Sequence, residues 1–391
     1  MRLPSSPSAG PGQPRHPVFD YKPPTYLGVL RYGLVTVIGV AVFAIAYSGF
    51  WFFAATRLKA GVEEWVAQRL DEGTLLTYER LEIGGFPLAL RVDLTTPRAA
   101  PKRFGDTGKP NAWRIEAARA SAESVPWNFR RLDLELMGDL RVQVPGTRRP
   151  VVYEGRASKL FSRLIFHDDG LPGAVSIEVA GLEMAADGRP RAIAAAEIDL
   201  QAERLFPEPV SHLTPTLSLK LDGRKLKVPD SLSFPLGHAF SELGLSANLL
   251  GPLPAKPLAE ALAQWRDAGG TVEVSRLNMG YGPLDIRAVG TLALDEELQP
   301  IGALTTQIQG FFLALDALKR AGIIRSRNAA MAKVVLGVLA RRPRGGGPAT
   351  LSLPLTLQDR QLYTKGLTLF KLPTVDWGGG KSEKGGVKLV R

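Results

Sequence analysis

Between Arg31 and Arg57 the chain runs for 25 residues without a formal charge, among them Val35, Val37, Ile38, Val40, Val42, Phe43 and Ile45. At 1.5 Å of rise per residue, a helix of that length reaches roughly 37 Å, enough to cross a hydrocarbon core with some tilt. Tyr32 stands at one end and Tyr47, Trp51, Phe52 and Phe53 toward the other, where aromatic rings favour the membrane–water interface. A soluble core helix this long usually keeps a polar stripe, and none is visible here. A cleaved signal peptide has a shorter apolar region followed by small residues. Phe50-Trp51-Phe52-Phe53 is bulky, and only Ala54-Ala55-Thr56 resembles such a site. The stretch therefore predicts an uncleaved transmembrane anchor over 32–56.

Charge sets its expected direction. Arg2, Arg15, Lys22 and Arg31 precede the span; Arg57, Lys59 and Arg69 follow it, among Glu63, Glu64, Asp71 and Glu72. Basic residues on the leading side favour a cytoplasmic N-terminus and a body outside the cytoplasm. The leading tail, 1–31, is rich in Pro, Ser and Gly and reads as disordered. The chain has no cysteine, which removes thiol nucleophiles, thiolate metal sites and disulfides together. The formal charge of +11 admits anionic lipid or nucleic acid. Nucleic acid is set aside, because basic and aromatic residues do not interleave as a stacking surface.

After the anchor, Leu58, Val62, Trp65, Val66, Arg69 and Leu70 recur at helical spacing up to Gly73. From Thr77 the period changes to two. Leu88, Leu90, Val92 and Leu94 alternate with Ala89, Arg91 and Asp93; Leu132, Leu134, Leu136, Leu140, Val142 and Val144 hold one phase, and Leu351, Leu353, Leu355 and Leu357 alternate again. Pro354 suggests an edge strand. Leu217, Leu219 and Leu221 run into Asp222-Gly223, followed by Leu226 and Val228, which reads as a hairpin. Helices are expected over 255–268 and over 311–342, the second broken near Gly322. The pattern is that of antiparallel sheet with one apolar and one polar face.

Residues 81–91 and 277–287 share five of eleven identities, including Gly84/Gly280, Pro87/Pro283 and Arg91/Arg287. Each reads as strand, Gly-Pro turn, strand. The repeat predicts two similar β-rich halves, 57–270 and 271–377, before a loose basic tail, 378–391.

Chemistry is sparse. The four histidines, His16, His167, His212 and His238, are dispersed. His167-Asp168-Asp169 is a local His–carboxylate cluster, but Gly170-Leu171-Pro172 follows it and makes it a polar turn. No Gly-x-Ser-x-Gly elbow occurs. No catalytic, cofactor-binding or metal-ligating residue is assigned, and no enzyme is expected. The suggestive feature is cationic: from Lys319 to Arg344 there are eight basic residues and no acidic one. They flank an apolar stripe of Met331, Val334, Val335, Val338 and Leu339. A basic amphipathic helix lies on anionic lipid, with Arg320, Arg325, Arg327, Lys333, Arg341 and Arg342 as candidate contacts. Alternatively the stripe covers the sheet and the charges face water.

Four segments carry a family resemblance. They are Gly84-Gly85-Phe86-Pro87-Leu88 after the anchor; Trp113-Arg114-Ile115-Glu116-Ala117 running to Val125-Pro126-Trp127-Asn128; Gly290-Thr291-Leu292-Ala293-Leu294-Asp295 before Pro300-Ile301-Gly302; and Leu353-Pro354-Leu355-Thr356-Leu357 running to Leu372-Pro373. Together they resemble the bacterial domain-of-unknown-function family numbered 2125. More loosely, the chain is similar in pattern to the AsmA-like envelope proteins. That second similarity implies an N-terminal anchor, a β-rich periplasmic body and a part in handling lipid. The expected fold is α+β, mostly antiparallel β. The expected function is a non-enzymatic envelope protein that shelters lipid in a curved sheet. The alternative is a structural or assembly factor binding other envelope proteins.

Overall fold

The computed structural model describes residues 26–101, 113–146, 149–186, 188–205, 211–230, 232, 234–254, 256–342, 346–364, 367–375 and 377. Most of the leading tail, the trailing tail and Arg344 lie outside them. The chain divides into two units, Met1–Ala54 and Ala55–Arg391. Helix α1, Tyr26–Asp71, contains the expected anchor and the expected following helix. Gly73, at φ 92°, lies just beyond its end. Among the described residues it is the one helix long and apolar enough to cross a membrane. Its apolar stretch is unburied, whereas a core helix would be covered; Val35, Phe43 and Ile45 are 67%, 71% and 73% exposed.

Among the described residues, the second unit is dominated by one sheet of eighteen strands. The first nine are β1 (Thr74–Thr77), β2 (Arg80–Gly84), β3 (Leu90–Thr95), β4 (Arg98–Pro101), β5 (Arg114–Val125), β6 (Asn128–Val144), β7 (Val151–Arg156), β8 (Lys159–Phe166) and β9 (Pro172–Ala186). Then come β10 (Arg189–Arg204), β11 (Pro215–Lys227), β12 (Ala239–Leu250), α2 (Leu258–Asp267), β13 (Thr271–Tyr281), β14 (Leu284–Leu294) and β15 (Pro300–Gln309). Helices α3 (Phe311–Arg320) and α4 (Ser326–Leu339) precede β16 (Leu351–Gln358), β17 (Gln361–Thr364) and β18 (Leu367–Lys371). Every ladder is antiparallel. From β8 onward, each strand pairs with the next.

A line of irregularities crosses the first strands at one level. Residues 96–97 separate β3 from β4, and both pair with β5. Ala118 and Gly138 interrupt the β5–β6 register. Residues 157–158 separate β7 from β8, and both pair with β6 and β9. Backbone bonds stitch the line: Thr96 N–H donates to Ala118 O at 3.0 Å and Ser158 N–H to Ala180 O at 2.9 Å. Gly138, at φ 82°, supplies a left-handed step that a side chain would resist. On one side of this line Ala117, Leu140, Tyr153, Met184, Ala186 and Ala192 form a buried cluster.

Three expectations change. Asp222-Gly223 is not a hairpin turn, since β11 passes through it, paired on both sides. Asp222 bonds across the sheet to Arg276 at 2.9 Å, and the irregularity falls instead at Lys225, φ 49°. The two Gly-Pro segments are both hairpins, but Gly84 pairs with Arg91 while Gly280 pairs with Asp285. Their registers differ by two residues, and β12 pairs with β13 across the expected boundary at 270, so the residues on either side of it share one sheet. Finally, β16 is not a full edge: β17 covers only Thr356 to Gln358, leaving Pro354 beyond it.

The helices follow their signals. Gly322, at φ 71°, breaks the long stretch into α3 and α4. On α2, Ala261, Leu262 and Trp265 are buried. The Trp265 indole N–H donates to Leu250 O at 2.8 Å, seating α2 beside the end of β12.

Candidate functional site

In an antiparallel pair, directly opposed residues share a face, so register shows how far a surface extends. One row runs Ile83, Val92, Ala122, Leu134, Ser162, Ile177, Leu200. It continues through Leu221, Leu245, Leu277, Ala288, Thr306 and Leu353. Across thirteen strands only Ser162 and Thr306 are polar, and the Thr306 hydroxyl donates to Leu353 O at 2.8 Å. The sheet thus carries a largely apolar face across these thirteen strands.

Its cover is uneven. Val92 is 6% exposed at one end; Ala288, Thr306 and Leu351 are buried at the other, where α3 neighbours β14 and α4 neighbours β16. Between them Leu134, Ile177, Leu200, Leu221 and Leu245 are half-buried, as are Leu132, Leu164, Val175 and Leu219 beside them. Leaving a leucine partly uncovered forgoes a fraction of the roughly 2 kcal/mol that full burial supplies. The open span lies in β6 and β8 to β12, beyond the closed cluster around Tyr153 and Met184.

The opposite face is charged. A matching row runs Glu82, Asp93, Ser121, Glu135, Phe161, Glu178, Asp199 and Asp222. Cations of neighbouring rows meet several of its acids: Lys159 pairs with Glu178 and Arg276 with Asp222. Beside the row, Arg91 pairs with Glu123. Arg163 bonds Asp133 at 2.7 and 3.1 Å and, with Arg131, holds that carboxyl down at about 2. Two cavities on this face, of about 560 and 390 Å³, are lined mostly by charged and polar groups, the first including Arg91, Asp93 and Asp133 and the second Asp199, Asp222 and Arg276. Paired charges of this kind are a solvated surface.

The His167 cluster forms a turn: Gly170 N–H donates to His167 O, and the Asp169 carboxylate accepts from Leu171 N–H at 2.9 Å. Asp169 also pairs with Arg204, and Asp168 with Arg130. Among the described residues no group of three His, Cys, Asp or Glu is placed to hold a metal.

The cationic candidates separate. Arg325, Arg327, Arg341 and Arg342 are exposed at the two ends of α4. Arg320 is exposed and bonds Asp316 O at 3.4 Å. Lys333 is turned to Asp316 on α3, 2.6 Å away. The apolar stripe does not cover the sheet: Met331, Val334, Val335 and Val338 are 61%, 70%, 56% and 82% exposed. Ala329, Ala332 and Leu336 lie on the better-covered side instead. Alternation within single strands was readable, but the continuous row was not, because only register joins separate strands.

The family model described as an uncharacterized protein conserved in bacteria (DUF2125) matches residues 51–373. The chain belongs to the DUF2125 family. The match takes in all eighteen strands and the basic helix. The four segments that suggested DUF2125 are thus borne out. Searches of curated proteins and of solved structures returned no match for this DUF2125 chain.

Proposed function

We propose that this DUF2125 protein is a non-enzymatic envelope protein, held by one span with its N-terminus cytoplasmic and its body periplasmic. The open middle of its apolar face shelters a lipid acyl chain. The observation that supports this is the row from Leu134 to Leu245, half-buried in every strand and flanked by covered ends. A closed core would bury those side chains fully, as it does Val92 and Ala288 at the two ends of the row. The charged face keeps the other side of the sheet in water.

The test is a photo-crosslinking residue placed at Leu219, Leu245 or Lys220 of the full chain in its native membrane. Leu219 and Leu245 lie on the apolar face; Lys220 lies on the polar one. Irradiation is expected to add phospholipid masses at Leu219 and Leu245 and none at Lys220. Protein adducts at the leucines in place of lipid would move the reading to an assembly factor.

A further inference from the structure

Helix α4 is apolar on both sides. Ala329, Ala332 and Leu336 occupy the side toward the body, while Met331, Val334 and Val338, at i, i+3 and i+7, share the outward face. Apolar side chains on a helix are normally turned to a core, yet Val338 is 82% exposed and Val334 is 70% exposed. The charges complete the pattern. Arg325 and Arg327 lie at its start and Arg341 and Arg342 just past its end, all exposed, while Lys333 is withdrawn to Asp316. No acidic residue occurs from Lys319 to Arg344. An apolar stripe roughly 10 Å long on a helix roughly 20 Å long, with cations at both ends, has the charge of a helix lying flat in a bilayer interface.

From this we infer that α4 is a second membrane contact, which docks on an anionic lipid surface with Met331, Val334 and Val338 among the acyl chains and the four arginines on headgroups. The occupant is a bilayer and not another protein, because the cations bracket the stripe and no acidic residue completes it, the complement of an anionic headgroup layer. The inference rests on the anchored reading of α1, which tethers the chain to a bilayer, and is independent of the sheltered acyl chain.

The chain has no cysteine, so single cysteines can be labelled without background. The full chain carrying Val334→Cys or Val338→Cys with an environment-sensitive fluorophore is reconstituted in phosphatidylglycerol-containing vesicles bearing nitroxide lipids. Label at Lys220→Cys is the reference. The expected result is a blue shift and nitroxide quenching at 334 and 338 but not at 220, weakening with added salt. Each of Arg325→Gln, Arg327→Gln, Arg341→Gln and Arg342→Gln is expected to lower the docked-to-undocked ratio about fivefold. Salt titration of the chain with its native arginines gives the same readout without those variants. Labels that stay aqueous, equal quenching in pure phosphatidylcholine, or a blue shift in detergent that grows with protein concentration would each overturn the inference, the last assigning the face to a second copy. None of these outcomes bears on crosslinks at Leu219.

Discussion

The Lys333 ammonium donates to the Asp316 carboxylate at 2.6 Å, tying α4 to α3 and withdrawing the one cation in the middle of α4 from its outer face. Lys333 in turn holds the Asp316 carboxyl below the usual carboxylate range. Because that value is depressed in the folded chain, the tie is present above the ordinary carboxylate range and is lost as pH falls through the folded value. Asp316→Ala is expected to speed hydrogen exchange in 326–339 at neutral pH while leaving the sheet strands at their original rates.

Asp133 is the ion-paired carboxylate with the clearest pH signature. Its value falls from 3.8 to about 2, chiefly through the hydrogen bonds from Arg163. The stabilisation is complete above 3.8 and fades as pH drops toward 2. Asp133→Asn should cost at most roughly 2 kcal/mol near neutral pH. Urea midpoints of the two proteins should converge in strong acid; a gap that persists there would show that the cost is packing.

Trp265 is 1% exposed, and a side chain added at Gly270 would run into its ring. Trp265→Ala is expected to destabilise the body by about 3–5 kcal/mol, as a large cavity does. Trp265→Phe keeps most of the volume and loses mainly the bond to Leu250 O, costing about 1 kcal/mol. Denaturant titration separates the two.

Gly138 and Gly188 both have positive φ, but a Cβ at Gly138 would meet the Ala118 methyl at 2.8 Å, and one at Gly188 would meet nothing within 4 Å. Alanine at either position should cost about 1 kcal/mol or more of backbone strain. Gly138→Ala should lower the thermal midpoint further, by the crowding at the bend.

Much of this was legible in the chain itself. Uncharged residues over a bilayer's width give the anchor, and alternation in 132–144 gives β6, because side-chain period is a local property. Gly322 ended α3 for the same reason. Asp222-Gly223 misled because turn residues can also sit within a strand when both neighbours bond through them. Which apolar positions stay open was hidden, since cover depends on elements far away in sequence: Val338 and Leu351 are both apolar, yet one is bare and the other buried. The same limit applied to α4, whose stripe fits a sheet or a bilayer equally well on paper.

The meander has a consequence for how the body is made. From β9 onward, each strand pairs with the one just before it, and even the ladder that spans α3 and α4 joins Gly302 to Leu357, only 55 residues on. Such local pairing favours rapid, stepwise assembly. A chain emerging N-terminus first can lay each strand on a finished edge, like rungs added to a ladder. At every stage the newest edge is unpaired and prone to join a neighbouring chain.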